Sequence, residues 1–277
     1  MLTQPRLNSL VADDLIRRKC ARLAILKVAY ELNPPKIARD GRYDQRGLDD
    51  DMKILVARAK KVARVADGIH LTDSVLGVPR VSSITAASLV RKIAKTQVSC
   101  SIRTSDRNAI TLCQAATDAI IAGVSSLLVL LGDAPADGRN SGLKPSSAVQ
   151  MLRELGFDKK IQLNLSFPAK IANKESPAIQ NKLAAKPYAF VTQSISSLSD
   201  LGKIVDLAKP SGIRVVACIM VPDEKNVESA KMIGLDWSPY QQDLADFVKK
   251  AGRMAASVLL TSPNSFQSGL DLLRQVS

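Results

Sequence analysis

Acidic and amide side chains stand at the ends of buried, strand-like runs of this sequence. The stretch SSLLVLLGDAPADG, 125–138, contains five consecutive large apolar residues and then places Asp133 after a glycine. The run LAILKVAYEL carries Glu31 at its end, and YAFVTQ ends on Gln193. Strands without polar alternation are covered on both faces, so a carboxyl group at their end lies at the rim of a core, where burial tunes its pKa. Such a group can transfer a proton, and an amide can bind a donor and an acceptor of one ligand together.

Eight runs of this kind recur, and helix-like stretches separate them. In order they are LAILKVAYEL, DGIHLTD, QVSCSIRT, SSLLVLLGD, KIQLNLSFP, YAFVTQ, IRVVACIMVP and ASVLLTSP. Between the third and fourth runs, DRNAITLCQAATDAIIAG predicts a helix with Asp106 as its N-cap and Gly123 at its end. Eight β-α units predict an α/β protein with the fold of a TIM (β/α)8 barrel, with a doubly wound open sheet as the alternative. We expect one barrel domain at 21–277 and a short N-terminal helical extension at 1–20.

Composition and charge narrow the class of protein. A chain of 277 residues with 46% hydrophobic content supports one large core. The net charge of +13 suits anionic ligands or nucleic acid, but the basic residues are spread along the whole chain and aromatic residues make up only 4%, so nucleic acid is not the expected partner. No apolar run of about 18 residues predicts a membrane span, and the N-terminus lacks the apolar core of a secretory signal, so we expect a cytoplasmic protein. Four cysteines without a CxxC pair, and a single histidine, argue against a metal site.

In a TIM barrel the active site lies at the C-terminal ends of the strands. The residues that close the runs are mostly polar and predict a pocket at that rim. They are Glu31, Thr72, Asp73, Arg103, Thr104, Asp133, Ser166, Phe167 and Gln193. Basic residues in the loops after the second to fourth runs, among them Arg80, Arg107 and Lys144, would draw an anionic ligand to the same face. His70 lies two residues before Thr72, and we expect it to have a structural role inside the barrel.

Five short motifs, in order, resemble the methylenetetrahydrofolate reductase family. They are AYELNPPK at 29–36, GIHLTDSVLGVPRVS at 68–82, SIRTSDRN at 101–108, GDAP at 132–135 and KLAAKPYAFVTQ at 182–193. The resemblance covers about residues 24–275 and implies a short, divergent, single-domain member. It implies a TIM-barrel flavoprotein, an oxidoreductase of one-carbon metabolism and methionine biosynthesis. That enzyme reduces 5,10-methylenetetrahydrofolate, or a related methylene-tetrahydropterin, to the 5-methyl form, with hydride passing from NAD(P)H to FAD and then to the folate.

The resemblance also implies roles for individual residues. Glu31 would be the proton donor that opens the methylene bridge, Asp133 would bind the pterin and stabilise the cation, and Gln193 would contact the pterin edge. The implied cofactor contacts are Thr72, Ser101, Arg103, Gly132, Asp133, Phe167 and Lys182. Ser101 stands where the family usually has a histidine, and Leu131 replaces its usual residue before Gly-Asp. FAD held through other groups, hydride taken directly from a soluble donor, and an electron-donor subunit therefore all stay open.

Three interpretations compete with a reductase. The first is a non-reducing barrel that binds folate-like ligands. The second is a basic module that binds a nucleic acid or a partner protein. The third is a TIM-barrel enzyme for a phosphorylated substrate, which would need a phosphate cradle after the last two strands; TSPNSFQSG, 261–269, matches such a cradle only weakly. Each of these is compatible with a homo-oligomer.

Overall fold

The computed structural model describes residues 26–39, 41–133 and 140–277, so the predicted extension at 1–20 lies outside the described residues. The strands are β1 Val28–Leu32, β2 Ala38–Arg39, β3 Arg42–Tyr43, β4 Gly68–Leu71, β5 Gln97–Arg103, β6 Ser126–Leu130, β7 Gln162–Phe167, β8 Ala189–Thr192, β9 Arg214–Met220 and β10 Ser257–Thr261. The helices are α1 Gln45–Val62, α2 Ser83–Ile93, α3 Ala109–Ile121, α4 Pro145–Glu154, α5 Pro177–Ala184, α6 Leu198–Ala208, α7 Val227–Met232, α8 Leu244–Met254 and α9 Phe266–Val276.

Strands β1 and β4 to β10 are parallel and close into a barrel in which β10 pairs with β1. The two short strands β2 and β3 form a separate antiparallel ribbon after β1. The described residues form one domain, and this confirms the predicted (β/α)8 barrel over the open sheet. No helix of the described residues is long and apolar enough to cross a membrane.

The main core lies between the strands and the surrounding helices. Alternation along β7 shows how the sequence builds it: Leu163, Leu165 and Phe167 join the apolar layer under the helices, while Asn164 falls on the barrel-interior side. Each fully buried leucine of this layer contributes about 1.5–3 kcal/mol of hydrophobic stabilisation. A second, smaller apolar cluster fills part of the barrel interior. It consists of Leu128, Val191, Cys218 and Leu259, with Ala29, Leu130 and Val216 packed against them.

The start of α3 differs from the sequence-based expectation. Asn108, not Asp106, is the N-cap, and its side chain accepts a hydrogen bond from the Thr111 backbone N–H at 3.0 Å. Asp106 instead forms an ion pair with Arg103. Gly123 does stand just beyond the helix end with φ +70, as its position predicts.

Candidate functional site

Glu31 stands near the C-terminal end of β1. Val28, Tyr30 and Leu32 alternate with it and pack into the layer under the helices, so Glu31 faces the barrel interior. Tyr30 of β1 pairs with Leu260 of β10, so Thr261, the next residue of β10, lies beside Glu31. Thr261 Oγ1 donates a hydrogen bond to Glu31 Oε1 at 2.7 Å.

The carboxyl group of Glu31 is set up to hold a proton. Its pKa is raised because burial disfavours the charged form, and the hydrogen bond from Thr261 only partly opposes this. The neighbouring thiol of Cys218 has a pKa of about 12. Burial of the thiol is the main cause of this increase, and a negative charge on Glu31 adds to it. Among the described residues no basic side chain forms an ion pair with Glu31. The backbones of Lys36 and Arg80 pair in an isolated antiparallel β-bridge. Burial therefore favours the protonated form of Glu31, and a hydroxyl group lies beside its carboxyl group.

Asp133 has a different environment. The loop after β6 leaves its side chain exposed, and its Oδ2 accepts a hydrogen bond from the Leu76 backbone N–H at 2.6 Å. Leu76 has φ +61, a left-handed conformation that is strained for a leucine. The carboxylate thus holds the loop after β4 in an unfavourable backbone shape at the rim of the barrel.

Arg103 organises the same corner from inside. Its side chain is about 1% exposed, and its guanidinium group donates to the carbonyl oxygens of Ser74 at 2.6 Å and Asp133 at 2.7 Å. Gly132 has φ +84, and a Cβ there would lie 2.6 Å from Arg103 Nε. Glycine is therefore required at 132 both by its backbone angle and by the close approach of the arginine.

A buried carboxylate completes this network. Asp73 Oδ2 accepts hydrogen bonds from the Arg103 backbone N–H at 3.1 Å and from Arg107 Nη1 at 2.7 Å. These contacts connect the ends of β4, β5 and β6. Arg103 and Asp133 thus fix loop geometry in this structure, and the guanidinium group of Arg103 has no surface left for a ligand.

Ser101 and Thr72 also have protein partners. Ser101 Oγ is 2.8 Å from His70 Nε2, and Ser99 Oγ is 2.8 Å from His70 Nδ1. Burial lowers the pKa of His70 to about 4, so the ring is neutral between the two hydroxyl groups. The Thr72 hydroxyl donates to Asn33 Oδ1 at 2.6 Å and ties the ends of two neighbouring strands together.

The last three predicted residues lie around β7 and β8. Phe167 is about 1% exposed and packs against Phe190 under the helices, with ring centroids 4.4 Å apart, so a ligand at the barrel mouth cannot reach its ring. Lys182 on α5 donates to the Ser166 carbonyl oxygen at 2.6 Å, and burial lowers the pKa of its ammonium group. The Gln193 backbone extends the β7–β8 pairing, and its side chain is exposed at the rim.

These contacts test the fit of FAD to the predicted residues. Of the implied contacts, Arg103, Ser101 and Thr72 already bond to protein groups, and Phe167 points away from the mouth. Gly132 lies against the arginine. The described residues therefore do not form a FAD site of the expected kind.

A phosphate cradle is not formed at the start of α9 either. The hydroxyl groups of Ser265 and Ser268 both donate to Asp223 Oδ2, at 2.8 and 2.5 Å. These hydrogen bonds, with that of Ser268 contributing most, lower the pKa of Asp223. A carboxylate of the chain therefore occupies the position at which a TIM barrel commonly binds a phosphate.

One residue near Glu31 escaped the sequence analysis. Thr261 ends the last strand run, as Thr72 ends the second, but the motif around it indicates only a weak phosphate loop. The rule that polar residues at strand ends share one rim, applied to the eighth run, would have placed it beside the first strand. The structure therefore brings together Glu31 and Thr261, while Asp133, Arg103 and Gly132 form a separate cluster.

Comparison with known proteins identifies the fold. No protein-family model matches the chain, and no curated protein is significantly similar to it in sequence. Among solved structures, an uncharacterised protein from Clostridium thermocellum that binds two copies of 5-methyl-5,6,7,8-tetrahydrofolic acid is similar, with a TM-score of 0.64, 11% identity and coverage of 94% of this chain and 98% of that chain. A protein described as an aldolase has a TM-score of 0.53 and 13% identity, with coverage of 91% of this chain and 94% of that chain. A 2,3-dimethylmalate lyase of the PEP mutase/isocitrate lyase superfamily has a TM-score of 0.52 and 9% identity, with coverage of 90% of this chain and 80% of that chain.

Proposed function

We propose that the upper mouth of the barrel, the rim formed by the C-terminal ends of the strands, binds a tetrahydrofolate-type pterin, and that Glu31 donates a proton to it. The observation that carries this proposal is the Glu31 carboxyl group, which faces the barrel interior, has a raised pKa and has Thr261 as its hydrogen-bond partner. Two further points support it. The motifs around Glu31 resemble a folate-reducing family, and a barrel of similar fold binds 5-methyltetrahydrofolate.

A protonated Glu31 suits the opening of a methylene bridge. The acid gives its proton to one bridge nitrogen, the bond from that nitrogen to the bridging carbon breaks, and the positive charge stays on the iminium formed with the other nitrogen. The carboxylate left behind stabilises this cation electrostatically. Thr261 donates to the carboxylate oxygen and so makes the loss of the proton easier at the moment it is needed. Hydride addition to the opened carbon would then give the methyl product.

Asp133 and Gln193 are the proposed pterin contacts on the rim. The Gln193 amide is exposed and can donate and accept together. Asp133 Oδ2 accepts the Leu76 N–H, so a pterin that bonds to this oxygen must break or share that bond. We therefore propose that ligand binding is coupled to a rearrangement of the loop after β4.

A non-reducing folate-binding barrel is the second candidate function. It is favoured by the specific finding that the Arg103 guanidinium group is already bonded to the loops and the Phe167 ring lies under the helices. Both residues were predicted to hold the flavin that supplies hydride. A folate site without a nearby hydride donor would bind and release the ligand unchanged.

Binding and turnover distinguish these functions. Trp237, the only tryptophan, provides a fluorescence signal for titration with 5-methyltetrahydrofolate. Reduction of 5,10-methylenetetrahydrofolate is then followed with NADH or NADPH, with and without added FAD. We expect Glu31→Gln to bind the methyl form within a few-fold of wild type and to reduce the methylene form about a hundredfold to ten-thousandfold more slowly. Glu175→Gln, an exposed glutamate in the loop after β7, is the control.

The outcomes separate cleanly. If no tetrahydrofolate binds, the proposed function is wrong. Binding with no turnover for any donor would select the non-reducing barrel. Equal turnover by wild type and Glu31→Gln would remove Glu31 as the acid. Retention of a flavin absorption spectrum after dialysis would show that FAD binds through groups other than those predicted.

A further inference from the structure

A cavity lies inside the barrel at the N-terminal ends of the strands, opposite to the upper mouth. This lower cavity has a volume of about 250 Å³, and its walls include Gly68, Ser99, Ser126, Asn164, Ala189 and Arg214. At about 30 Å³ per molecule, it holds roughly eight waters or one small metabolite. In most TIM barrels, layers of branched apolar side chains fill this region. Here glycine, alanine and serine leave it open.

Asn164 shows that the lower cavity has more than a packing role. Its side chain is about 9% exposed, it lines the cavity, and its Oδ1 has no hydrogen-bond partner among the described residues. An unpartnered buried amide lowers the stability of a protein. An apolar side chain of similar size would avoid that loss, so retaining the amide points to a ligand that satisfies it.

The mouth of the lower cavity is positively charged. The guanidinium group of Arg214 lies 4.7 Å from the ring centroid of Tyr188 and also donates to the Tyr188 hydroxyl. This packing orients the arginine, and no acidic side chain of the described residues forms an ion pair with it. Lys27 lies at the same opening. The nearby carboxylate of Asp67 accepts a hydrogen bond from the Val28 N–H at 2.8 Å. An oriented arginine with unpaired N–H groups suits a carboxylate.

The amide and the arginine are placed at a defined spacing. Asn164 pairs in register with Ala189, and Ala189 pairs with Arg214, so the two polar residues are two strands apart at one level of the barrel. Their Cα atoms are therefore about 10 Å apart. A short molecule with a carboxylate at one end can bond to the guanidinium group at the mouth and place a hydroxyl group against the amide inside. Oδ1 is covered by protein in this structure, so a hydroxyl group reaches it only after the Asn164 side chain rotates; it then donates to Oδ1 and accepts from Nδ2, which satisfies the amide.

We propose that the lower cavity is a binding site for a short-chain hydroxycarboxylate. Its carboxylate bonds to Arg214 and Lys27, and its hydroxyl group bonds to the Asn164 amide. The site shares no residue with the upper mouth, and the proposal does not depend on the folate function.

L-malate and succinate test the site as probes because they differ in one hydroxyl group. Calorimetric titration of the full chain should give tighter binding for malate than for succinate. Arg214→Gln should weaken the binding of both probes about tenfold or more. Asn164→Leu should remove the preference for malate, and it should also raise the melting temperature because a buried unpartnered amide is lost. Lys209→Gln, an exposed lysine in the neighbouring connection that does not line the cavity, is the charge control.

Three results would overturn the proposal. One is a dissociation constant for malate weaker than about 1 mM in the wild type. Another is equal weakening by Arg214→Gln and Lys209→Gln, which would mean general attraction to a basic protein. The third is an unchanged malate preference in Asn164→Leu. Arg214 is exposed, so its variant keeps the fold and the test remains decisive if Asn164→Leu does not fold. Binding of 5-methyltetrahydrofolate should be the same in Arg214→Gln and wild type, which separates this site from the upper one.

Discussion

Protonation of His70 should destabilise the protein in acid by a predictable amount. Burial lowers the pKa of this histidine from 6.5 to about 4, and the ring is about 5% exposed. The unfolded chain therefore binds more protons than the folded protein between these two values. The stability contributed by the neutral ring is complete above about pH 6.5 and is lost as the pH falls through 4.

The size of the effect follows from the shift. A difference of about 2.5 between the two pKa values, at about 1.4 kcal/mol per unit, corresponds to about 3 kcal/mol. His70→Gln lacks this titration but can keep hydrogen bonds to Ser99 and Ser101. Between pH 7 and pH 4 the variant should therefore gain about 3 kcal/mol in stability relative to wild type.

Denaturant unfolding at several pH values measures this difference directly. His70 is also the only histidine of the chain, so its ring signal in an NMR titration is unambiguous in untagged protein. Ser101→Ala is the control: because burial is the main cause of the shift, the pKa should stay low after one hydroxyl partner is removed. A histidine that titrates near 6.5, or unfolding free energies of wild type and His70→Gln that change in parallel with pH, would refute the reasoning.

Three further changes test the rim. The raised pKa of Glu31 should make wild type less stable as the pH rises from 4.5 through the pKa of the folded protein, and Glu31→Gln should not show this decline. Equal pH profiles of the two proteins in denaturant unfolding would contradict this. Gly132→Ala should cost at least about 2 kcal/mol by thermal unfolding, because it combines a left-handed backbone with a clash against Arg103, and a neutral result would place the arginine elsewhere. Asp73→Asn should cost about 2–3 kcal/mol, since the partly buried Arg107 loses its buried carboxylate partner and keeps only the longer contact to Asp106 at 3.4 Å; unchanged stability would show that the network adds nothing.

The barrel could be predicted because its signal is repeated. Eight strand runs without polar alternation, separated by amphipathic stretches, leave few folds in which every strand is covered on both faces. Local details are less predictable. Asp106 and Asn108 are both suitable N-caps by type, and the choice depends on Arg103, which takes Asp106 into an ion pair. That contact involves tertiary geometry, which the spacing of the residues does not contain.

The candidate site also has features that the sequence predicts and features that depend on tertiary contacts. The sequence predicts Glu31 at the rim of the barrel, and strand alternation turns its side chain to the barrel interior. Whether a polar side chain is available to a ligand depends on its partners, and these come from other strands. Arg103 satisfies carbonyl groups of two loops, and Phe167 falls on the helix side of β7. Counting residues from the strand end would have shown that Phe167 and Ser166 face opposite sides.

The central claim is that a tetrahydrofolate binds at the upper mouth against Glu31. The most direct test is a crystal structure of the full chain with 5-methyltetrahydrofolate, collected with the Glu31→Gln variant in parallel. The account predicts the pterin within hydrogen-bond distance of the Glu31 carboxyl group, with Thr261 still bonded to it and the loop at Leu76 moved away from Asp133. A pterin bound elsewhere on the protein, with the bond between Glu31 and Thr261 closed to solvent, would contradict it.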